Sequence, residues 1–391
     1  MAAAPATNSN PVQQAQQANA YARQLVLQNA VEMTQQLSSQ TYTGGPGTTI
    51  TQLFRPVGFV KKFLVEVQAT ISAGAGNQLT LTKFGSMNFF SNIILTDLSN
   101  QQRMNTTGWH LQAVQSAKYK FPYAGAITAT DSPLGFGNNF TNTQKAPAVI
   151  NGAVAANNFS AMYEVPITYG DADLRGGIFA GVVGATAQIQ LQLNPNISVA
   201  AGSDATLACY SGVAASAAVL PSVTVTIYQV YLDQLPIGSQ GPILPLLDMN
   251  VGYMFNNTVQ SGLVTNQPIQ LLYGNYRQFM STTVIYDDGG TLTPNGTDIT
   301  NWSLQTANLV NIFQVDVNIV SLWSRLMMDL DFPTGMYYFS HRAKPIATVV
   351  QGNMALVAQL SSAANGASLP IGWESLAQFN QITGAGALYG V

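Results

Sequence analysis

Two sets of side chains alternate along residues 223–232. One set includes Val225 and Ile227, and the other includes Thr224 and Thr226. Branched and aromatic residues repeating with a period of two pack well on a pleated strand. The pattern therefore predicts a β-strand over this stretch.

The strand is followed by a segment that ends it but stays apolar. Prolines and glycines interrupt residues 236–248, and proline both fixes φ and cannot donate to a sheet. A solvated linker would be polar, whereas this segment keeps aliphatic side chains at Leu244 and Leu247, among others. Because the sequence on either side is strand-like, we predict a packed joint between two β domains. The residues assigned to the joint are Tyr231, Leu232, Asp233, Leu235, Pro236, Gly238, Pro242, Pro245 and Asp248.

The first 44 residues have a helical rather than an alternating pattern. From about Pro11, apolar residues fall on one face at helical spacing, and the pattern ends before the glycines at 44–47. This predicts a helical arm over residues 1–44. The apolar stripe of this arm could be buried in either of two ways: the arm docks under its own domain, or it reaches a neighbouring molecule or a membrane surface. The residues assigned to the arm are Tyr21, Arg23, Leu25, Val26, Met33 and Leu37.

Between the arm and the joint, short apolar runs alternate with turns. This predicts an all-β first domain over 45–235, with helical segments at 108–118 and 171–182 and long loops at 120–160 and 194–220. Asp171 is expected to cap the second of these helices. The predicted strands are 59–71, 78–82, 89–96, 161–168, 187–193 and 223–232.

The second domain, over 249–391 and including a C-terminal tail, repeats this style. A helix is predicted over 315–329, and a tight turn at 287–290. The predicted strands are 269–273, 279–286, 335–341, 346–350, 354–360 and 372–379. The expected fold class is all-β.

The amino-acid composition favours a subunit that assembles with copies of itself over a soluble monomer. Of the 391 residues, 47% are hydrophobic and only 8% are charged, so identical copies repel one another weakly. The net charge of −3 excludes the basic footprint that duplex nucleic acid requires. No apolar run is long enough for a membrane helix, and no signal peptide is recognisable. We therefore expect a protein made in a cytoplasm.

The chain lacks the parts of a familiar active site. His110 and His341 have no carboxylate or thiol at ligand spacing, and Cys209 is the only cysteine. The acidic pairs at 171/173, 287/288 and 329/331 are typical of caps, turns and helix ends. No nucleophile elbow, P-loop or zinc motif occurs. We expect no enzyme, no cofactor and no metal.

Several blocks of sequence resemble the major capsid proteins of tectiviruses. The longest lie at the joint, residues 231–238 (YLDQLPIG) and 243–248 (ILPLLD). The others are 58–65 (GFVKKFLV), 107–111 (TGWHL), 130–133 (TDSP), 287–290 (DDGG), 306–308 (TAN) and 331–338 (DFPTGMYY). They occur in the family's order over about residues 20–355.

The resemblance implies two tandem eight-stranded jelly rolls, an architecture shared with adenovirus hexon. It further implies a homotrimeric, near-hexagonal capsomer that tiles an icosahedral shell over an internal membrane enclosing the double-stranded DNA of a bacterial virus. The implied partners are other copies of the chain, vertex proteins and minor membrane-associated capsid proteins, without sequence-specific nucleic-acid binding. The alternative is a jelly-roll protein that binds carbohydrate or a receptor, with Tyr119, Phe121 and Tyr123 as stacking residues.

Overall fold

The computed structural model describes most of the chain between residues 11 and 378. The described residues are 11–378 except 43–46, 83–87, 120–143, 146–148, 153–156, 183–185, 196, 201–207, 213–218, 273–276, 289–297, 329–331 and 333–334.

Strands dominate both halves of the chain. The helices are α1 (Pro11–Asn29), α2 (Gly108–Tyr119), α3 (Leu246–Met249), α4 (Val317–Met328) and α5 (Thr348–Gln351). The strands up to the joint are β1 (Val31–Tyr42), β2 (Thr49–Leu53), β3 (Phe59–Ser72), β4 (Gln78–Leu81), β5 (Phe90–Thr96), β6 (Gln102–Thr106), β7 (Gln144–Lys145), β8 (Val149–Asn151), β9 (Asn157–Pro166), β10 (Ile178–Phe179), β11 (Gln188–Leu193), β12 (Ser198–Ala200), β13 (Tyr210–Gly212) and β14 (Val219–Asp233). Those from the joint onward are β15 (Ile237–Gly238), β16 (Gly241–Pro242), β17 (Val251–Leu263), β18 (Asn266–Leu272), β19 (Arg277–Ile285), β20 (Asp287–Asp288), β21 (Ile299–Thr306), β22 (Asn311–Asp316), β23 (Met336–Ser340), β24 (Ile346–Ala347), β25 (Met354–Leu360) and β26 (Ala364–Gln378).

The first jelly roll is built from two facing sets of four strands. One set has the order β1-β14-β3-β9, and the other has the order β2-β11-β5-β6. Alternate residues of each strand point into the space between them, as Val65 and Val67 of β3 and Ile189 and Leu191 of β11 do. The alternation that predicted the strand at 223–232 comes from this packing, since Val225 is buried in the same core.

The second jelly roll repeats the strand order of the first. Its two sets are β17-β26-β19-β23 and β18-β25-β21-β22. The core between them is centred on Trp302, which lies against the rings of Tyr337 and Phe339. When the eight main strands of each jelly roll are counted in chain order, both jelly rolls have the same strand order in their two sets. The predicted double jelly roll is confirmed.

Most predicted elements are present with small shifts at their ends. The helices predicted at 108–118 and 315–329 are α2 and α4, while the strand predicted at 346–350 continues as helix α5 beyond Ala347. The predicted long loops contain strands: β12 and β13 lie within 194–220, and β7, β8 and the start of β9 lie within 120–160. Residues 120–143 of that loop are outside the described residues.

The helix predicted for the arm ends earlier than expected. Helix α1 stops at Asn29, and residues 31–42 form β1, which pairs antiparallel with β14 from Val31↔Asp233 to Tyr42↔Val223. The prediction that Met33 and Leu37 belong to the helical stripe is therefore wrong. The free energy gained from a long ladder of backbone hydrogen bonds with β14 is larger than the weak local preference of this segment for a helix.

The helix predicted at 171–182 is also wrong. Gly176 takes a φ of +96°, a conformation that a helix does not contain, and β10 follows and pairs with β3. Asp171 therefore caps no helix. Its carboxylate lies 3.7 Å from the Lys61 ammonium and 3.6 Å from that of Lys62.

The two jelly rolls are joined by more than the chain connection. Strand β6 of the first lies parallel to β17 of the second, with Met104 opposite Phe255, so one sheet runs through both. Helix α2 lies between the jelly rolls and contacts β5 and β9 of the first and β19 and β26 of the second. A single core cluster contains side chains from both.

Candidate functional site: the N-terminal helix and the junction of the jelly rolls

Helix α1 is anchored to the joint by a buried carboxylate. Asp248 is 2% exposed and accepts two hydrogen bonds from Arg23, from Nε to Oδ2 at 2.7 Å and from Nη2 to Oδ1 at 2.6 Å. Asn19 adds a third, from Nδ2 to Oδ1 at 3.0 Å. The hydrogen bond to Asp248 raises the pKa of Arg23 above its ordinary value. The two-pronged geometry fixes the helix in orientation as well as in position.

The backbone around Asp248 connects three parts of the chain. Asn19 Oδ1 accepts a hydrogen bond from the Leu247 amide at 2.8 Å, and the Asp248 carbonyl accepts one from the Gly176 amide at 3.0 Å. Gly176 is required at this approach, because a Cβ there would lie 2.4 Å from the Ile167 carbonyl oxygen. Helix α1, helix α3 and the loop before β10 therefore meet at one residue, Asp248, through its carboxylate and its backbone carbonyl.

A small apolar cluster completes the attachment of α1. Val26 is fully buried against Phe59, Leu174 and Leu232, at the ends of β3 and β14. Leu235 and Leu244 of the joint, and Met249 directly after it, pack against the same cluster. The apolar stripe of α1 is thus covered within its own chain.

The structure brings some of the predicted arm and joint residues together and separates others. Arg23 and Val26 meet the joint, Leu25 is half-buried, and Tyr21 is 63% exposed. Met33 is exposed on β1, whereas Leu37 packs on the first core. Asn19 was not among the predicted arm residues, although its position four residues before Arg23 places both on one helix face.

The joint is packed on one side and open on the other. Its residues 237–242 form a small hairpin of β15 and β16, closed by the Ile243 amide donating to the Pro236 carbonyl at 2.7 Å. Ile237 and Leu246, which the sequence pattern grouped with the packed residues, are 82% and 66% exposed. Of the assigned joint residues, Tyr231, Leu232, Pro245 and Asp248 are buried, Leu235, Pro236 and Gly238 are half-buried, and Asp233 and Pro242 are exposed.

A second buried carboxylate lies where the jelly rolls meet. Glu374 of β26 is fully buried and accepts hydrogen bonds from Arg342 at 2.7 Å to each oxygen, from Ser281 at 2.8 Å and from Tyr253 at 2.5 Å. Tyr169, from the first jelly roll, forms a T-shaped pair with the Tyr253 ring, with centroids 5.4 Å apart. No sequence motif indicated this cluster, because its members are far apart in the chain.

The Arg342 guanidinium of this cluster stays charged, and the Tyr253 hydroxyl stays protonated. Burial alone would lower the pKa of Arg342, but Glu374 beside it raises that pKa well above its ordinary value. Burial and Glu374 together raise the pKa of Tyr253, so its hydroxyl remains a donor. The cluster is a fixed structural contact rather than an acid–base pair.

His110 is a packing residue of helix α2. It is fully buried, its Nδ1 lies 2.6 Å from the Thr106 hydroxyl, and burial lowers its pKa to about 3. Its ring lies 5.8 Å from that of Phe255, and a Cβ at Gly372 would come within 2.2 Å of it. A neutral imidazole thus fills the contact between α2 and the second jelly roll.

Nothing in the described part of the chain assembles an active site. There, no three His, Cys, Asp or Glu side chains are grouped so as to hold a metal. His341 is half-buried between the rings of Phe279 and Phe313, and burial lowers its pKa to about 4. Asp173 is bound by Arg175 at 2.6 Å, Asp287 lies in β20, and the acidic pair at 329/331 lies outside the described residues. No helix of the described ranges is both long and apolar enough to cross a bilayer.

Solved structures of viral capsid proteins share this fold. The crystal structure of the STIV MCP matches with a TM-score of 0.62 at 13% identity, covering 89% of this chain and 97% of that one. A quasi-atomic model of the PBCV-1 virus capsid matches with a TM-score of 0.57 at 10% identity, covering 90% and 95%. Together with the strand order, this likeness defines a double jelly-roll fold.

The chain belongs to the P3 major capsid protein family. The family's N-terminal model matches residues 2–235, and its C-terminal model matches residues 250–388. The chain is 35% identical over 379 residues to the major capsid protein P3 of Enterobacteria phage PRD1, covering 96% of this chain and 95% of that protein. The resemblance to tectivirus capsid proteins is confirmed, and the chain is a structural virion protein rather than an enzyme.

Proposed function

We propose that three copies of the chain form a near-hexagonal capsomer that tiles an icosahedral shell. The observation that carries this is the repetition of one strand order in two jelly rolls held together by α2 and a shared sheet. Three such pairs supply six equivalent units around a ring. The low charge, 8% of residues, reduces repulsion between copies in such a lattice.

The surroundings of the shell are proposed from the family membership. The capsomers lie over an internal membrane that encloses double-stranded DNA, together with vertex proteins and minor membrane-associated capsid proteins. Assembly takes place in the cytoplasm of a bacterial host. The segments 120–160 and 194–220 supply contacts between copies or projections on the outer surface.

In this capsomer the arm and the joint set the angle between the jelly rolls. The contact of Arg23 with Asp248 supports a role for α1 inside its own subunit, as a clamp on the joint. The outward side of α1 carries Tyr21, which is 63% exposed, and Leu27, which is 37% exposed. We assign this side to contacts with a neighbouring capsomer or the membrane surface.

No observation favours the carbohydrate-binding alternative. Tyr119 is 41% exposed, but its hydroxyl donates to Glu164 at 2.6 Å. Phe121 and Tyr123 lie outside the described residues. A stacking platform of three aromatic rings is therefore not supported.

Light scattering on a sizing column tests the proposal. A sharp species of three times the 41.6 kDa chain mass, unchanged on dilution, is expected. A monomer that persists when the protein is concentrated would contradict the capsomer.

A further inference from the structure

Both jelly rolls carry a helix at the same point of their strand order. Helix α2 follows β6, and helix α4 follows β22; these strands end the corresponding sets β2-β11-β5-β6 and β18-β25-β21-β22. Each helix has 12 residues. The two helices are therefore counterparts, and their surroundings can be compared position by position.

Helix α2 is covered by the second jelly roll. Its residues from Gly108 to Ser116 are all buried. His110 faces Gly372 of β26 and Phe255 of β17, on the outer face of the set β17-β26-β19-β23. Strand β6, which precedes the helix, lies beside β17. A helix and a strand edge of one jelly roll thus dock on the outer face and edge of the next.

Helix α4 has the same design, but no described residue of the second jelly roll or of the first covers its outer side. Counted from the first helical residue, Val320 corresponds to Leu111, and both are buried in their own jelly roll at 1% and 0% exposure. Ile319 corresponds to His110 but is 48% exposed. Leu322 and Leu326 continue the face of Ile319 and are 50% and 75% exposed.

The apolar surface extends onto the neighbouring strand. In the described sheet, β22 is an edge strand, and its Ile312 is 37% exposed. The turn before it exposes Leu309 by 78% and Val310 by 60%. Contiguous apolar surface of this kind, beside an open strand edge, is typical of a protein contact.

The chain also carries a counterpart of the surface that covers α2. In the first jelly roll this is the outer face of β1-β14-β3-β9, opposite the core residues. Leu64 of β3 pairs with Tyr228 of β14, and Glu66, two residues on, pairs with Met162 of β9, so these side chains share the outer face. Met162 is 39% exposed, and β1 is the edge strand of this set.

We propose that α4 and β22 of one copy dock on the outer face of β1-β14-β3-β9 of a second copy. The contact repeats between chains the packing that α2 and β6 make within the chain. Each copy offers one helix surface and one receiving face, so the contact is head-to-tail, and in the proposed trimer three such contacts close a ring. The inference rests on the proposed trimer, and names the residues that hold it together.

Charge substitutions on the two surfaces test the inference by light scattering. Leu322→Glu and Met162→Lys each alter an exposed residue on one side of the contact, and each is expected to reduce a three-chain species to one chain. Val264→Glu is the matched control, because Val264 is 52% exposed in the loop between β17 and β18 and belongs to neither of the two surfaces. It is expected to leave the trimer intact. Circular dichroism of each variant reports whether the subunit is still folded.

A cysteine pair provides a gain-of-contact test. Leu322→Cys and Met162→Cys combined in one chain are expected to give disulfide-linked dimers and trimers on a non-reducing gel, whereas each alone gives none. Cys209 is fully buried and does not compete for disulfide formation.

The inference would be overturned if the wild-type chain is a trimer and the Leu322→Glu variant is also a trimer. It would also be overturned if the Val264→Glu variant dissociates as much as the Leu322→Glu variant does. Either result would leave the proposed function standing. A wild-type monomer would overturn both.

Discussion

Removing the Arg23 side chain is expected to release helix α1 from the joint. The Arg23→Ala variant loses two hydrogen bonds to a carboxylate that is 2% exposed and keeps only the one from Asn19. A hydrogen bond to a charged group contributes about 1.5–3 kcal/mol. The Arg23 side chain is 25% exposed, so water replaces part of this loss. We expect the free energy of opening α1 to fall by about 2–3 kcal/mol.

Hydrogen exchange measured by mass spectrometry reads this opening directly. A decrease of about 2–3 kcal/mol corresponds to exchange about 30- to 150-fold faster in peptides covering Pro11–Asn29. Peptides from the β25–β26 region are expected to be unchanged. Arg55→Ala is the matched control, because the Arg55 side chain is exposed and lies outside this contact.

A double-mutant cycle separates the ion pair from other effects. Asp248→Asn alone is expected to loosen α1, and in the double variant the loss should be smaller than the sum of the two single losses by at least about 1 kcal/mol. Unchanged exchange in Arg23→Ala, or strict additivity with Asp248→Asn, would refute the anchoring role of this pair.

The remaining predictions concern the junction of the jelly rolls. Because the pKa of His110 is about 3 in the folded chain and 6.5 ordinarily, only the unfolded chain binds a proton there between these pH values. The contribution of His110 to the free energy of unfolding should therefore fall on acidification by about 1.4 kcal/mol per pH unit, in addition to the contribution of His341. The His110→Asn variant should bind one proton fewer on unfolding, which pH-dependent denaturation measures. Gly372→Ala places a Cβ within 2.2 Å of the His110 ring and should lower the thermal midpoint of unfolding. Gly366→Ala is the control, because Gly366 lies on the same strand with open space around it, and it should leave the midpoint unchanged. Equal midpoints for the two variants would refute this packing. Glu374→Gln leaves the buried charge of Arg342 without its carboxylate and should destabilise the chain by about 3–5 kcal/mol in denaturant titration; a loss below about 1 kcal/mol would contradict the role given to Glu374.

Local patterns predicted the strands whose two faces differ. The run around Val225 alternates because one face is buried in the first core, whereas Thr224 and Tyr228 on the other face are only half-buried. Strand β17 was missed because its first residues, from Val251 to Phe255, are buried on both faces and so do not alternate. Strand β1 was read as helix because its polar, exposed residues carry little strand signal, and β14 supplies the missing stabilisation.

The junction could be predicted only in part. Proline spacing located the joint, and the family blocks around 231–248 identified its class. The partners of Asp248 were not predictable, because Arg23 lies 225 positions away and is brought there by tertiary packing. The same holds for Glu374, whose partners Tyr253, Ser281 and Arg342 come from three separate elements.

Electron microscopy of the purified chain tests the central claim most directly. Class averages viewed along the particle axis are expected to show a near-hexagonal outline with six barrel-shaped densities, two from each chain. Particles with two barrels, or rings in which the number of barrels is not six, would contradict the capsomer.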